Sequence, residues 1–226
     1  MYAAIVGHFL RMYDFSQAQK VGVFAANSKN VAERIEKFYR RKSVVIYPPV
    51  EISNIRYPIS NKNYYLIVSR LVGGKGIEMA VEAAASAGFK LIIAGERAGM
   101  SNIQYPISNN VKFVGRVSDE EETRLMAGAR GFLALARDED FGITPVEAQM
   151  CGTPVIAFNG GGYRETVIDG KTGVVFDDYS VEGLIGAVRE FGEIKWDRTA
   201  IRKHAQRFSK KVFIDKMKKL CQSYLK

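Results

Sequence analysis

From residue 64 onward, short apolar runs alternate with stretches of helical periodicity, and few folds accommodate that order. Residues 64–69 (YYLIVS), 90–94 (KLIIA), 111–114, 131–135, 155–158 and 173–176 read as strands. Residues 76–87, 119–129, 145–151 and 181–191 read as helices. Strands joined by helices pair in parallel and are covered on both faces, so the chain is expected to form an α/β fold with a doubly wound, Rossmann-like parallel sheet. In such sheets ligands bind beyond the carboxyl ends of the strands.

The first fifty residues fit this sheet poorly. Residues 21–26 (VGVFAA) and 43–47 (SVVIY), with a helical stretch 30–40 between them, read as a βαβ unit of buried-type strands. Pro48, Pro49 and the loop 53–63 then cut the unit off from everything later, because consecutive prolines cannot continue a central strand. Residues 1–50 are therefore expected to be the tail of a preceding domain, and the chain to be incomplete.

Charge and composition narrow the function. The formal net charge is +9, and residues 201–226 carry nine lysines and arginines against the single acid Asp215. Phe208, Val212, Phe213, Met217, Leu220 and Leu225 are interleaved with them, which suits an amphipathic helix. Its basic side reads either as a solvated face or as a surface attracted to an anionic membrane or polyanion. Nucleic acid is not the expected partner, since no aromatic platforms are interleaved with basic residues on a sheet or groove. No apolar run is long enough to cross a bilayer, residues 1–10 lack a secretory signal, and Cys151 and Cys221 form neither metal-ligand nor disulfide spacing. A cytoplasmic protein, peripheral to a membrane at most, is expected.

The chemistry concentrates at residues 138–147, DEDFGITPVE. Thr144 as a helix cap, Pro145 in the first turn and Glu147 three residues after Thr144 would make a capping box, a purely structural use of Glu147. That use leaves Glu139 and the intervening Phe-Gly unexplained. A carboxylate loop, a glycine that permits close approach and free amides at a helix start suit a ligand with hydroxyls at one end and phosphate at the other. A nucleotide sugar has both. Residues 138–140 also spell Asp-x-Asp, a short match to a divalent-metal site. A dehydrogenase reading fails because no G-x-G-x-x-G follows the strand at 64–69, and GGKG at 73–76 lacks the spacing of a Walker loop.

The stretch DEDFGITPVEAQMCGTPVIAFNGGGYRET, with VSRLVGGKG at 68–76, VKFVGRVSDEE at 111–121, and ANSKNVAERIEKFY and VIYPPV upstream, closely resembles family-4 retaining glycosyltransferases of the GT-B fold. The DFGITPVEAQ form looks most like the mannosyltransferases of polysaccharide or glycolipid assembly. The resemblance implies a division into an N-terminal acceptor-domain remnant (1–50), a nucleotide-sugar-binding domain (51–196) and closing helices (197–226).

It also implies roles. Glu147 would bind the nucleotide ribose, Glu139 would face the donor sugar and its phosphate, and Phe141, Gly142, Ile143 and Thr144 would follow the sugar and diphosphate with their backbone. Arg70 and Lys75 would neutralise the departing diphosphate, although on spacing alone they read equally as surface charges at a strand end. Arg116, Val117 and Asp119 would sit at the base, with Asp119 accepting the paired donors of guanine and so favouring GDP-mannose. Ser118 and Glu121 there also read as a capping box. Gly160, Gly161 and Gly162 would allow tight approach near the donor. The resemblance implies no metal and no other cofactor, and retention without a side-chain nucleophile. A nucleotide-sugar donor, a glycan or lipid-linked acceptor and a separate chain supplying the N-terminal domain are the expected partners. The alternative function is a non-catalytic nucleotide-sugar-binding module.

Overall fold

The structure, a computed structural model, describes residues 2–52, 63–96 and 108–224. Most of the expected separating loop (53–62), and Leu225 and Lys226 of the basic segment, lie outside the described residues.

Six parallel strands form the central sheet: β3 (Tyr65–Val68), β4 (Leu91–Ala94), β5 (Val111–Gly115), β6 (Gly131–Ala134), β7 (Val155–Phe158) and β8 (Gly173–Phe176). They run in the spatial order β5-β4-β3-β6-β7-β8. The expected α/β doubly wound fold is thus present, and the order reverses between β3 and β6, where crossovers pass to opposite faces. The connecting helices are α3 (Ile77–Ala87), α4 (Asp119–Gly128), α5 (Ile143–Met150), the short α6 (Tyr163–Thr166) and α7 (Val181–Glu193).

Period-2 alternation splits the core between the two faces. Tyr65 and Ile67 of β3, with Leu133 of β6, pack into one cluster with α3 and α7 residues such as Ile77, Ala80 and Leu184. Tyr64, Leu66, Phe132 and Ala134 face the other way, onto Met126, Ala148 and Cys151. Every second side chain is therefore buried on each side, which is why these strands read as continuous apolar runs.

The closing segment behaves in two ways. α8 (Arg198–Ala205) and the 3-10 turn Gln206–Phe208 bury Ile201, Ala205 and Phe208. Ala205 and Phe208 form a third cluster with Val50, Phe141, Val146 and Met150. The apolar faces of this part are covered by α5 and by Val50, whose amide donates to the Phe208 carbonyl at 2.9 Å. The final helix α9 (Lys210–Tyr224) buries no residue.

At the other end, β1 (Phe24–Ala26) and β2 (Ser43–Val45) pair with each other in a separate two-stranded parallel sheet, with α2 (Lys29–Tyr39) between them. They are not the buried strands expected, since Ala25 and Val44 are exposed. Helix α1 (Tyr2–Ala18) was not anticipated, and Tyr2, Phe9, Leu10 and Tyr13 on it are exposed. Among the described residues no helix is long and apolar enough to cross a membrane.

α2 begins at a fully buried cap. The Ser28 hydroxyl accepts from the Val31 amide at 3.0 Å. Replacing Ser28 by alanine orphans that amide, and urea denaturation is expected to show a loss of about 1 kcal/mol.

Candidate functional site

A cleft of about 410 Å³ opens at the carboxyl ends of β3 and β6, where the strand order reverses. Ser69 and Arg70 reach it from the end of β3, Lys75 from the turn before α3, and Leu135 and Ala136 from the end of β6. The loop after β6 brings Glu139, Asp140 and Phe141, and the start of α5 brings Gly142, Ile143 and Thr144. Inside the cleft the Lys75 ammonium donates to Glu139 Oε2 at 2.8 Å, with both side chains about 30% exposed or less. Arg70 is exposed and makes no ion pair among the described residues. An anionic ligand entering here would meet one cation already oriented by a carboxylate and a second that is free to turn.

The helix start differs from the expected capping box. α5 begins at Ile143, its N-cap is Gly142 at φ 84°, and no side chain caps it. Thr144 therefore lies inside the first turn and Pro145 one residue further, where its missing N–H is still harmless. The backbone turns early because Phe141 is drawn inward, 2% exposed and stacked on Tyr47 at 5.6 Å. Gly142 alone tolerates the left-handed conformation this leaves, and a Cβ there would lie 2.6 Å from the Tyr163 ring. The consequence is an uncapped helix tip whose first residues line the cleft.

Freed from the capping box, Glu147 sits on α5 away from the cleft lining. Burial, then the charges of Glu122 and Asp119, push its carboxyl up to about 7. Asp119 is the first residue of α4, whose N-cap is Ser118; the Ser118 hydroxyl accepts from the Glu121 amide at 3.3 Å. Glu121 turns instead to Arg124, so only half of that second capping box forms. Arg116 is exposed and Val117 partly buried beside them. The structure thus brings Arg70, Lys75, Glu139, Phe141, Gly142, Ile143 and Thr144 into one cleft. It places Arg116, Val117, Asp119 and Glu147 outside that lining, with Asp119 close enough to Glu147 to act on its charge.

The glycine turn at 160–162 closes on the same loop. The Gly162 amide donates to the Glu139 carbonyl at 2.7 Å, and a Cβ on Gly161 would lie 2.1 Å from that oxygen. What the glycines approach in this structure is the backbone that carries Glu139. The Asp-x-Asp carboxylates are spoken for as well: Arg34 of α2 pairs with Asp140 at 2.7 Å and lies 3.8 Å from Asp138. Among the described residues no three acidic, histidine or cysteine side chains form a metal-holding group.

Several cleft residues escaped the sequence reading. Asn27 and Pro48 come from the N-terminal segment, and the buried Tyr163 follows the glycine turn, its hydroxyl pKa raised by burial and then by Glu139. Only Tyr163, next to a motif glycine, had a local signal. A larger cavity of about 750 Å³ lies between α1 and α2 but is mostly apolar and shares only Asp140 with the cleft. Volume alone would select it; the strand ends, charges and helix tip select the smaller one.

Known proteins share this fold and stretch of sequence. The model of the family described as "Glycosyl transferases group 1" matches residues 51–211. An uncharacterised glycosyltransferase, MJ1178, of Methanocaldococcus jannaschii is 26% identical over 92% of this chain and 59% of its own length. A GDP-mannose-dependent monoacylated alpha-(1-6)-phosphatidylinositol monomannoside mannosyltransferase of Corynebacterium glutamicum is 35% identical over 51% of this chain and 34% of its own. Among solved structures, the apo form of the lipopolysaccharide outer core galactosyltransferase WaaB superposes with a TM-score of 0.75 at 21% identity, covering 89% of this chain and 62% of that one. The chain therefore spans about three fifths of the length of MJ1178 and of WaaB, and about a third of the Corynebacterium enzyme. With a family match across most of its residues and the sheet of GT-B glycosyltransferases around the cleft, the chain belongs to the group 1 glycosyl transferases.

Proposed function

We propose that this chain is the donor-binding half of a retaining, family-4 mannosyltransferase that takes mannose from GDP-mannose to a glycan or lipid-linked acceptor without a metal ion. The observation that carries the reading is the convergence of Lys75, Arg70 and Glu139 with an uncapped helix tip in one cleft. Charge gathers on the diphosphate as the glycosidic bond breaks, and fixed cations with preoriented amides stabilise that charge. Glu139 both orients Lys75 and offers its second oxygen to sugar hydroxyls. Glu147 serves the ribose, with Asp119, Arg116 and Val117 at the base. Mannose and guanine are supported by the Corynebacterium relative's specificity and by the DFGITPVEAQ segment.

Acceptor recognition and closure of the cleft belong to a more complete N-terminal domain, in this polypeptide or a separate chain. The protein works in the cytoplasm, and the basic face of α9 gives it affinity for an anionic membrane surface. The second reading is nucleotide-sugar binding without turnover.

Calorimetric titration with GDP, UDP and ADP tests the site and the base together. GDP is expected to bind at least about tenfold more tightly, the worth of roughly one additional satisfied, charge-assisted hydrogen bond. Equal affinities would remove guanine from the proposal. Lys75→Ala, which also strands Glu139, is expected to weaken GDP by about tenfold or more and guanosine hardly at all. Transfer of labelled mannose separates the enzyme from the binding module.

A further inference from the structure

Glu165 belongs to α6, immediately after the glycine turn, and does not line the cleft. Its carboxylate reaches the N-terminal segment instead. Oε2 accepts from the Lys29 amide at 2.9 Å and from the Tyr47 hydroxyl at 2.9 Å, while Oε1 accepts from the Asn30 amide at 3.0 Å. Lys29 and Asn30 open α2, so the carboxylate meets the positive end of that helix as well as two of its unpaired donors. Tyr47 in turn stacks on Phe141 and meets Phe208 edge-on.

A second tie lies further along the same helix, where Arg34 pairs with Asp140. Both anchors belong to one unit, because the Gly162 amide bonds the Glu139 carbonyl and joins the glycine turn to the donor loop. Asn27 precedes Lys29 by two residues and Pro48 follows Tyr47, and both line the cleft. Each wall residue thus sits next to a group that Glu165 holds.

We infer that Glu165 is a positioning residue: it fastens the first turn of α2 and Tyr47 to the donor loop, and so sets how Asn27 and Pro48 close the cleft around a nucleotide sugar. The nucleotide-sugar part rests on the proposed function; the fastening does not. Arg34 and Asp140 are half exposed, so their pair alone holds α2 weakly. Three bonds to one carboxylate, two of them from a helix start, hold it more firmly.

Two measurements on Glu165→Ala, Glu165→Gln and Tyr47→Phe test this. In hydrogen exchange without nucleotide, Glu165→Ala is expected to speed exchange both at the start of α2 and across 138–144, with Glu165→Gln intermediate. In calorimetry at a temperature where circular dichroism shows each variant folded, Glu165→Ala is expected to bind GDP-mannose about tenfold more weakly, and Tyr47→Phe a few-fold. Faster exchange confined to α2, or unchanged affinity in a folded Glu165→Ala protein, overturns the inference and leaves Glu165 a cap only. Failure of the wild-type protein to bind any nucleotide sinks the proposed function instead, and the exchange result still decides whether Glu165 holds the donor loop.

Discussion

Glu147→Gln is expected to raise the stability of the protein at pH 8 and to leave it almost unchanged at pH 4. The carboxyl titrates near 7 in the folded protein against an ordinary 4.5, chiefly because it is buried and then because Glu122 and Asp119 lie near it. Between those two values the folded state holds a proton that the unfolded chain releases. Stability from this group is therefore fully present below about 4.5 and is lost as pH rises through 7. By linkage the whole loss is about 3 kcal/mol, an upper figure for a side chain that keeps some solvent contact. Glutamine has the same size and no charge, so the variant keeps at pH 8 what the wild type has only in acid. Urea denaturation at the two pH values measures this, and an equal gain at both would show that the carboxyl is not held protonated. Nucleotide affinity should move the other way, falling by about tenfold at pH 8 if an ionised Glu147 accepts the ribose hydroxyls. A residue that costs stability and supports binding is what a functional site, rather than a helix cap, is expected to contain.

Gly161→Ala carries the second large effect. Gly161 has φ +52°, and an added Cβ would stand 2.1 Å from the Glu139 carbonyl oxygen and 2.8 Å from the Glu139 nitrogen. Neither is a flexible side-chain end, so the loop that carries Glu139 must itself shift. Left-handed strain of roughly 1–2 kcal/mol and an overpacking cost of roughly 1–3 kcal/mol predict a combined loss of about 3 kcal/mol. Gly170→Ala supplies the control: its φ is +66° but nothing lies within 4 Å, so only the strain should be felt. Equal losses in the two variants, compared by urea denaturation, would show that the loop yields freely. Unequal losses, with weakened Lys75–Glu139 pairing read as lower affinity for GDP, are the expected result.

Strand positions were legible from residue order because each central strand is buried on both faces and so is apolar without interruption, as in β3 and β4. Helix α1 was not legible. Its apolar residues form no single stripe, and Tyr2, Phe9 and Tyr13 lie exposed where a periodic pattern would have marked a buried face. The start of α5 was misplaced for a different reason. Thr144, Pro145 and Glu147 satisfy every local rule for a cap, yet the packing of Phe141 against Tyr47 and Phe208 decides the backbone at Gly142. A capping bond of about 1 kcal/mol loses to the burial of a phenylalanine, worth roughly 1.5–3 kcal/mol.

By itself the order of residues determined the parallel sheet and the glycosyltransferase family, since these depend on periodicity and on motifs spanning a few tens of positions. Only the tertiary structure decided that Lys75 meets Glu139, that Arg34 reaches Asp140 across 106 positions, and that Glu165 holds the start of α2 from 136 positions away. No local pattern encodes such pairs: they exist because the sheet and the docked N-terminal segment bring distant backbone together, and a carboxylate bonds whichever donors that packing delivers.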